Sequence, residues 1–256
     1  MKTINQILNI NQKLENFLQA DWHAPSSVKT LLTTRNGGVS KSPYDSLNVG
    51  AHVGDNLVDV QKNREIVQQQ IALPVAYLNQ VHSNIVVPAA DAVQKLIDAD
   101  ASIDFSGKTA CAVMTADCLP VLFCNKAGTV VAAAHAGWRG LAGGVLENTV
   151  AAMGVMPSEI LAYLGPAIGP DAFEVGVDVF DVFCNRNNQS ESAFENIGDG
   201  KYLADIYKLA KIVLKNVGVN EVYGGQHCTV LERDTFFSYR RDGQTGRLLS
   251  AIWLDI

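Results

Sequence analysis

The chain has 256 residues, of which 48% are hydrophobic and 18% are charged, and its formal net charge at pH 7 is −6. This composition is typical of a globular protein that buries its own core without disulfide staples. Lysine and arginine are scattered along the chain, so it lacks the basic face that neutralises phosphates in nucleic-acid-binding proteins, and no nucleic acid is expected as a partner.

The compartment is predicted from the N-terminus and the cysteines. The segment MKTINQILNINQKLENFLQADW lacks the apolar core of a signal peptide, and no apolar run reaches the length of a membrane span. The five cysteines form no CxxC pair, and their odd number disfavours a disulfide framework. We therefore expect a cytoplasmic protein with reduced thiols and no membrane partner.

Hydrophobic spacing predicts the elements of the first third of the chain. Apolar residues recur at helical spacing near the N-terminus, and VKTLLTT is rich in β-branched residues. A long loop dense in Gly, Asn, Ser and Asp follows, and Asp55 or Asn56 is expected to cap the next helix. The predicted elements are a helix over 3–20, a strand over 28–34, the loop 35–56 and a helix over 57–71.

The middle of the chain is predicted to be mostly sheet. AYLNQVHSNIVVPA is interpreted as two short strands about a polar bend, and TACAVMTADCLPVLFCN and GTVVAAAHAGW as buried strands interrupted at ADCLP and at KAG. RGLAGGVLENTVAAMG has a helical pattern that begins just after His135. This part of the chain therefore contributes mainly strands to the core.

The last third mixes both kinds of element. The predicted strands are 160–164, 220–223, 235–240 and 247–254, and the predicted helices lie near 176–184 and 203–216. Strands and helices without regular βαβ alternation indicate an α/β or α+β fold. No linker or repeat divides the chain, so residues 1–256 are expected to form one domain.

Three residues lie at predicted strand ends beside small or turn-forming residues: His82 in NQVHS, Cys118 in TADCLPV and His135 in AHAGWRG. Imidazole and thiolate are ligands of Zn²⁺, and three protein ligands leave a coordination position open for water or substrate. The separations, 118 − 82 = 36 and 135 − 118 = 17 residues, match no zinc finger or ribbon. The pattern therefore predicts a catalytic rather than a structural zinc site.

Two other interpretations use the same residues. A histidine beside an apolar strand is often a hydrogen-bonded core residue, and cysteine is among the most buried residue types, as expected here for Cys111 and Cys124. Alternatively, Cys118 is a nucleophile with a histidine as its base. Asp117 is then either a general base, the group that orients the histidine, or a turn residue ahead of Pro120.

The motifs together resemble a known family. TTRNGGVS, PYDSLNVGAHVGD, LNQVHS, TADCLPVLF, AAAHAGWRG, LGPAIGP and FFSYRRDGQTGRLLSAIWL occur in this order over nearly the whole chain. The chain is identified by them as a member of the bacterial laccase-domain family, also called the polyphenol oxidase or purine nucleoside phosphorylase family and described as a peptidoglycan editing factor. TADC with its following proline, together with HAGWRG, are the most specific motifs.

The resemblance implies a single-domain layered α/β/β/α sandwich with mixed sheets and a metal held by His82, Cys118 and His135. It implies a zinc-dependent purine nucleoside phosphorylase that also deaminates adenosine and cleaves methylthioadenosine. The alternatives are a hydrolase that removes L-serine from UDP-N-acetylmuramyl-L-serine, a copper-dependent polyphenol oxidase, and a non-enzymatic metal-stabilised binding module. We expect a small-molecule substrate, Zn²⁺ with Cu²⁺ as the alternative metal, and a monomer or weak homodimer.

Four residues are candidates for substrate binding. Arg35 opens the RNGG loop and offers a planar fork to phosphate or carboxylate, and Arg139 stands at a predicted helix N-terminus. Asn48 is a candidate hydrogen-bond donor to ribose or base. Gln80 and Ser83 flank His82 and are expected to orient it, Gln80 also being a candidate substrate contact.

Other polar residues are expected to be structural. His52 is interpreted mainly as a hydrogen-bonding residue of its loop. The C-terminal arginines lie among aromatic residues, which favours a packing role with substrate contact as the alternative; they are Arg240, Arg241 and Arg247.

Overall fold

The computed structural model describes residues 16–256, in which the strands form three sheets. The first sheet has the order β1 (Phe17–Leu18), β2 (Val28–Thr33), β14 (Leu248–Leu254), β6 (Ala110–Thr115), β3 (Val75–Ala76). The second has the order β13 (Glu221–Gly224), β9 (Ile160–Leu164), β7 (Leu119–Asn125), β8 (Val131–Ala136), β5 (Ala101–Asp104), β4 (Val86–Pro88). The small third sheet has the order β10 (Glu174–Gly176), β12 (Lys201–Ala204), β11 (Phe194–Gly198).

Both large sheets are mixed. In the first sheet β3 runs parallel to β6, whereas the other pairs are antiparallel. In the second sheet the outer pairs β13–β9 and β4–β5 are parallel, and the central strands are antiparallel. The helices in the described part of the chain are α1 (Leu57–Gln68), α2 (Trp138–Gly143), α3 (Val145–Ala152), α4 (Val177–Arg186), α5 (Ile206–Asn216) and α6 (Tyr239–Asp242). Short 3₁₀ turns occupy Ala89–Ala92, Pro157–Glu159 and Asn188–Ala193.

The two large sheets pack face to face with helices outside them. Successive residues of a strand point to opposite faces, so a strand buried on both faces is apolar throughout. In β6, Val113 packs between the sheets while Met114 faces the outer cluster that also holds Val67 of α1. In β7, Leu122 packs between the sheets and Phe123 packs on the side that holds α3 to α5. The fold is therefore mixed α/β with the predicted layering of helix, sheet, sheet and helix.

Most predicted elements are present, with shifted ends. Strands 28–34, 160–164, 220–223 and 247–254 correspond to β2, β9, β13 and β14, and the helix after the long loop begins at Leu57, where the Asn56 side chain accepts a hydrogen bond from the backbone N–H of Val58. The helix predicted near 176–184 corresponds to α4. The helix predicted from 203 begins instead at Ile206, because Lys201–Ala204 pairs with two neighbouring strands as β12. Strands β5, β10, β11 and β12 were not predicted.

Three predicted elements need correction. The N-terminal helix over 3–20 lies mainly outside the described residues, and its last part is wrong because Phe17 and Leu18 pair with β2. The helix after His135 is divided at Gly144, whose φ of 94° interrupts the helical path between α2 and α3. The strand over 235–240 is wrong, because the backbone N–H groups of Thr235 and Phe236 bond to the carbonyl oxygen of Glu232 instead of a neighbouring strand.

The link between β6 and β7 positions the site, because it carries the chain from the first sheet to the second over only three residues, Ala116–Cys118. Strand β8 lies beside β7, with His135 opposite Pro120. One edge of the sandwich thus brings together the end of β6, the start of β7 and the end of β8. Within residues 16–256 no helix has the length and apolarity needed to cross a bilayer.

Candidate metal centre

His82, Cys118 and His135, hereafter the His–Cys–His cluster, meet at this edge. One ligand atom of each residue lies within 4.8 Å of those of the other two. The Sγ of Cys118 is 3.9 Å from Nε2 of His82, and the two imidazole rings are 4.8 Å apart at an interplanar angle of 70°. His135 is buried, Cys118 is half-buried and His82 is exposed, so the cluster opens towards solvent at His82.

The backbone around the cluster adopts unusual conformations. His82 has a φ of 60° and Asp117, which precedes Cys118, has a φ of 94°; Asp199 is the other non-glycine residue with positive φ in the described part of the chain. Non-glycine residues in this region cost about 1–2 kcal/mol each, and such strain is held where the surrounding structure over-determines it. Two of the three strained positions lie at or beside a cluster residue.

Gly137 permits the close approach of the ligands. A Cβ atom at this position would lie 2.9 Å from Sγ of Cys118 and 2.9 Å from Cδ2 of His82. Its φ of −59° and ψ of 157° are open to any residue, so the requirement for glycine here is steric. The backbone therefore leaves the space that the side chains of Cys118 and His82 occupy.

The buried carboxylate of Asp100 lies behind the cluster. Its Oδ1 accepts a hydrogen bond of 2.7 Å from Nδ1 of His135. Burial raises the pKa of Asp100, but the hydrogen bonds from His135 and Ser83 outweigh burial and lower it below its ordinary value. With Nδ1 donating to a carboxylate, the neutral imidazole of His135 presents the lone pair of Nε2 to the other ligands.

The cluster is electrostatically coupled. Burial raises the pKa of the Cys118 thiol, but attraction and hydrogen bonding by His135 and His82 outweigh it and lower that pKa to about 6. Burial lowers the pKa of His135, but attraction by Cys118 and the hydrogen bond to Asp100 raise it to about 9. Between these values the metal-free cluster holds a thiolate beside an imidazolium.

The donor set fits a transition metal. Tetrahedral Zn²⁺ with one thiolate and two imidazoles separates its ligand atoms by about 3.5 Å, and the Sγ–Nε2 distance of 3.9 Å is close to this value. The thiolate is already favoured by its surroundings, and metal binding requires a deprotonated thiol. Three protein ligands leave one position of such a site open.

A cavity of about 550 Å³ lies over the cluster. Apolar side chains form much of its wall, and three arginines line it: Arg139, Arg240 and Arg247. Its other lining residues include His52, Gln80, Met114, Asp117, Trp138, Ile168, Phe173 and Tyr239. A cavity of this volume, with apolar wall and convergent charged and polar groups, suits a polar or anionic small molecule.

The structure brings some of the predicted substrate residues to this cavity. Gln80 lines it, and its amide accepts from the backbone N–H of Met114 at 2.7 Å and donates to the Met114 carbonyl at 2.8 Å. Arg139 lines it, with its guanidinium 4.3 Å from the centroid of the Trp138 ring. Asp117 also lines it, but its two oxygens accept hydrogen bonds of 2.6 Å from Thr229 Oγ1 and from the backbone N–H of Arg240.

Two predicted residues lie elsewhere. The Arg35 guanidinium donates to the carbonyl oxygens of Asp45 and Arg233 and lies 5.0 Å from the Phe237 ring centroid. Asn48 is fully buried, and its Oδ1 accepts from the backbone N–H groups of Gly50 and Arg247. Neither residue is among those that line the cavity.

Two other residues of the cavity wall, and one residue behind the cluster, carry little local signal in the sequence. Arg247 interacts electrostatically with Cys118 and Asp117 and stays cationic even though burial lowers its pKa. His52 has its pKa lowered, first by burial and then by the charges of Arg247 and Arg64. Asp100 carried no signal at all, because DADAS resembles an ordinary polar turn.

Comparison with known proteins agrees with the motifs. A family model described as multi-copper polyphenol oxidoreductase laccase matches residues 29–255. The protein called purine nucleoside phosphorylase YfiH from Escherichia coli (strain K12) is 54% identical over 235 residues, covering 91% of this chain and 96% of that protein. Purine nucleoside phosphorylase PA4543 from Pseudomonas aeruginosa is 49% identical over 239 residues, covering 93% and 98%.

Solved structures have the same fold. Neisseria meningitidis protein NMB0706 superposes with a TM-score of 0.94 at 70% sequence identity, covering 94% of this chain and all of that one. YlmD from Geobacillus stearothermophilus superposes with a TM-score of 0.85 at 31% identity, covering 94% and 100%. The layered arrangement of sheets and helices is therefore shared with these proteins.

Proposed function

The chain belongs to the multi-copper polyphenol oxidoreductase laccase family and is similar to proteins named purine nucleoside phosphorylases, and from this premise we propose that it is a zinc-dependent purine nucleoside phosphorylase. The observation that carries the proposal is a His–Cys–His cluster that opens into a cavity lined by three arginines. Metal ligands and anion-binding side chains thus face the same space.

His82, Cys118 and His135 would hold the metal. Nitrogen and thiolate donors suit Zn²⁺, whereas copper would also bind the same set when offered in excess. When bound, Zn²⁺ supplies Lewis acidity at its open position and so polarises an oxygen of substrate or water. Because Asp100 pairs with Nδ1 of His135, Nε2 of that ring is free to bind the metal.

The arginines would bind phosphate. The guanidinium of Arg247 lies within the electrostatic reach of Cys118, and that of Arg240 is braced by the carbonyl oxygens of Ala172 and Glu174. Arg139 adds a third cation at the cavity wall. One planar guanidinium group can bind two phosphate oxygens at once. We therefore assign phosphate binding to Arg240 and Arg247 and not to Arg35.

The apolar wall would hold the purine. Phe173, Trp138 and Tyr239 offer rings to a flat base, and Met114 and Ile168 fill the space between polar groups. In phosphorolysis a phosphate oxygen bonds to the anomeric carbon of the sugar while the bond from that carbon to the base nitrogen breaks. The base leaves with the electron pair and takes up a proton.

Asp117 fits a holding role better than proton transfer. Both of its oxygens accept hydrogen bonds of 2.6 Å, one from Thr229 and one from the backbone of Arg240. These bonds tie the start of β7 to the helix that carries Arg240. We therefore propose that Asp117 orients the arginine side of the cavity.

We propose that the same centre also serves adenosine deamination, in which water adds to C6 of the purine and ammonia leaves, and methylthioadenosine cleavage, which is the same phosphorolysis on another nucleoside. Copper-dependent phenol oxidation is less well supported. Four-electron reduction of oxygen needs several copper centres. Residues 16–256 bring together three or more metal-ligating side chains at one place only, the His–Cys–His cluster.

The test is product analysis by mass spectrometry on the zinc-loaded protein with adenosine, inosine and methylthioadenosine, each with and without phosphate. Free base and sugar phosphate that appear only with phosphate support the proposal. Equal base release without phosphate would refute it in favour of hydrolysis. Parallel reactions with UDP-N-acetylmuramyl-L-serine, and with a phenol under oxygen, test the amide hydrolase and the oxidase.

Cys118→Ala is the decisive variant and Cys184→Ala its control. Cys118→Ala is expected to lose zinc and turnover together, whereas Cys184, a free thiol on α4 away from the cavity, is expected to be dispensable for both. Full turnover in metal-free Cys118→Ala would contradict the metal centre. A protein that binds zinc, unfolds on chelation and turns over none of these compounds would support the binding module.

A further inference from the structure

Asp100 collects an unusual number of hydrogen bonds. Its carboxylate is fully buried, and it accepts from three consecutive backbone N–H groups, those of Val81, His82 and Ser83, at 3.2, 3.0 and 2.6 Å. The Ser83 hydroxyl adds a bond of 2.7 Å, and Nδ1 of His135 adds another of 2.7 Å. Five donors thus converge on the two oxygens of one side chain.

All five donors belong to segments that carry two of the metal ligands. Three of the bonds fix the backbone turn in which His82 adopts its φ of 60°, and one holds the ring of His135. The main chain adds a direct link, since the His135 N–H donates to the Asp100 carbonyl oxygen at 2.7 Å. One residue therefore joins two ligands that are far apart in sequence.

The sheet explains how Asp100 reaches both. It immediately precedes β5, which pairs antiparallel with β8 so that Ala101 lies opposite Ala134. Its own N–H and that of Ala101 both donate to the carbonyl oxygen of Ile85, which anchors the segment after His82. The register of β5 thus places the carboxylate between the turn at His82 and the imidazole of His135.

The hydrogen bonds also fix which nitrogen of His135 is available. A carboxylate only accepts, so the proton of the neutral ring lies on Nδ1 and the lone pair lies on Nε2. The Ser83 hydroxyl donates its proton to Asp100, and its oxygen accepts a hydrogen bond from the backbone N–H of Ile85. A buried carboxylate is costly unless its lone pairs are satisfied, and here five donors satisfy them.

We propose that Asp100 is the positioning residue of the metal centre, and that its single carboxylate sets both the backbone of His82 and the ring orientation and tautomer of His135. The inference rests on the metal centre of the proposed function, but it concerns metal binding and not the reaction. Asp100 touches neither substrate nor metal and acts through the two histidines.

The strand offers a matched control. Asp104 closes β5, is also buried, and accepts from a serine hydroxyl and a backbone N–H, those of Ser106 and Gly107. It contacts no histidine of the cluster. Asp104→Asn therefore removes a buried carboxylate from the same strand without touching the ligands.

Asp100→Asn has a specific expected outcome. An amide has one oxygen, and if that oxygen takes the bonds from Ser83, its NH₂ group faces Nδ1 of His135. The ring then accepts at Nδ1 and carries its proton on Nε2, so its lone pair no longer faces the cluster. Loss of such outer partners lowers metal affinity by about 10- to 100-fold.

The experiment measures the zinc dissociation constant by competition with a chromophoric chelator for wild type, Asp100→Asn and Asp104→Asn. ¹⁵N NMR of the histidine rings of the metal-free proteins reports the tautomer of His135 at a pH above the pKa of that ring, about 9, where the ring is neutral. We expect zinc binding about 10- to 100-fold weaker in Asp100→Asn. We expect wild-type affinity in Asp104→Asn and a change of the neutral His135 tautomer in Asp100→Asn alone.

Each result decides the inference. Unchanged affinity in folded Asp100→Asn, or an equal loss in both variants, would overturn it and leave the proposed function standing. Failure of the wild type itself to bind zinc would overturn both. If Asp100→Asn does not fold, the wild-type spectrum of the zinc-loaded protein decides: a proton on Nδ1 of His135 supports the inference, and a proton on Nε2 overturns it.

Discussion

Gly137→Ala is expected to weaken metal binding through a steric effect alone. The added Cβ would lie 2.9 Å from both Cys118 Sγ and His82 Cδ2, about 0.8 Å inside the optimal contact distance for such atoms. The backbone of Gly137, with φ of −59° and ψ of 157°, is allowed for alanine. The perturbation therefore acts on the two ligand side chains and not on the backbone.

The magnitude follows from the cost of overpacking. Forcing an extra methyl group into a filled space costs about 1–3 kcal/mol. If this strain must be overcome to bring the ligands to the metal, then at about 1.4 kcal/mol per factor of ten the zinc dissociation constant rises about 5- to 150-fold. His82 is exposed, so in the metal-free protein its ring can turn away from the methyl group, whereas zinc binding has to bring the ring back against it.

Gly143→Ala is the control, because a Cβ at Gly143 meets nothing within 4 Å and the residue ends the same helix, α2. Alanine there is expected to leave zinc affinity unchanged and to stabilise the helix by about 0.5–1 kcal/mol. Chelator competition measures the affinity, and thermal unfolding of the metal-free proteins measures the stability. Equal zinc affinity in the two variants would refute the steric reasoning.

Three further outcomes are expected. In the metal-free protein Cys118 has a pKa of about 6, lowered by the histidines against the effect of burial, so its alkylation rate should rise through pH 6 and level off near pH 7; a midpoint near 9 would contradict the coupling. The folded-state pKa of Cys118 is lowered and that of His135 is raised to about 9, so stability gained at Cys118 as the pH rises from 6.5 to 9 is offset by stability lost at His135, and urea unfolding should show little net pH dependence from this pair in that range. Arg247→Gln should raise the KM for phosphate about tenfold with a smaller change in the KM for nucleoside, while Arg186→Gln, outside the cavity, changes neither. Asn56→Ala should lower the free energy of unfolding by about 1 kcal/mol without changing zinc affinity, because it removes only the N-cap of α1; a loss of affinity would show that the helix supports the cluster.

The sequence predicts the buried strands that carry long apolar runs, such as β7 and β8, but not the equally buried β5, whose residues ASID form no such run. Residue type and turn-rich strand ends also single out His82, Cys118 and His135, but these local signals leave core packing and a nucleophilic Cys118 open, and only the family motifs favour the metal-ligand interpretation. The strand over 235–240 is wrong for the opposite reason. Phe236 and Phe237 are fully buried, but they belong to a turn and not to a strand. A short run of apolar residues does not distinguish a buried turn from a buried strand.

The roles of the other site residues depend on contacts with residues far away in the sequence. Arg35 has the residue type of an anion ligand, but Asp45 and Arg233 engage its guanidinium. Asp100 has the residue type of a surface turn, but the register of β5 against β8 buries it behind His135. Such partners are set by strand register and loop path, which no local pattern encodes.

The link between β6 and β7 has a consequence for how the molecule opens. His82 lies between β3 of the first sheet and β4 of the second, Cys118 lies on the connection between β6 and β7, and His135 ends β8 of the second sheet. An ion held by all three would join the connection between the sheets to the turn at His82 and to the end of β8, at the edge of two layers that share a mainly apolar core. At 100 times its dissociation constant it adds about 2.7 kcal/mol to every opening that parts the sheets. With the ion bound, amide hydrogens of both sheets should therefore exchange more slowly than in the metal-free protein, and by a similar factor. The two sheets would then open as one cooperative unit.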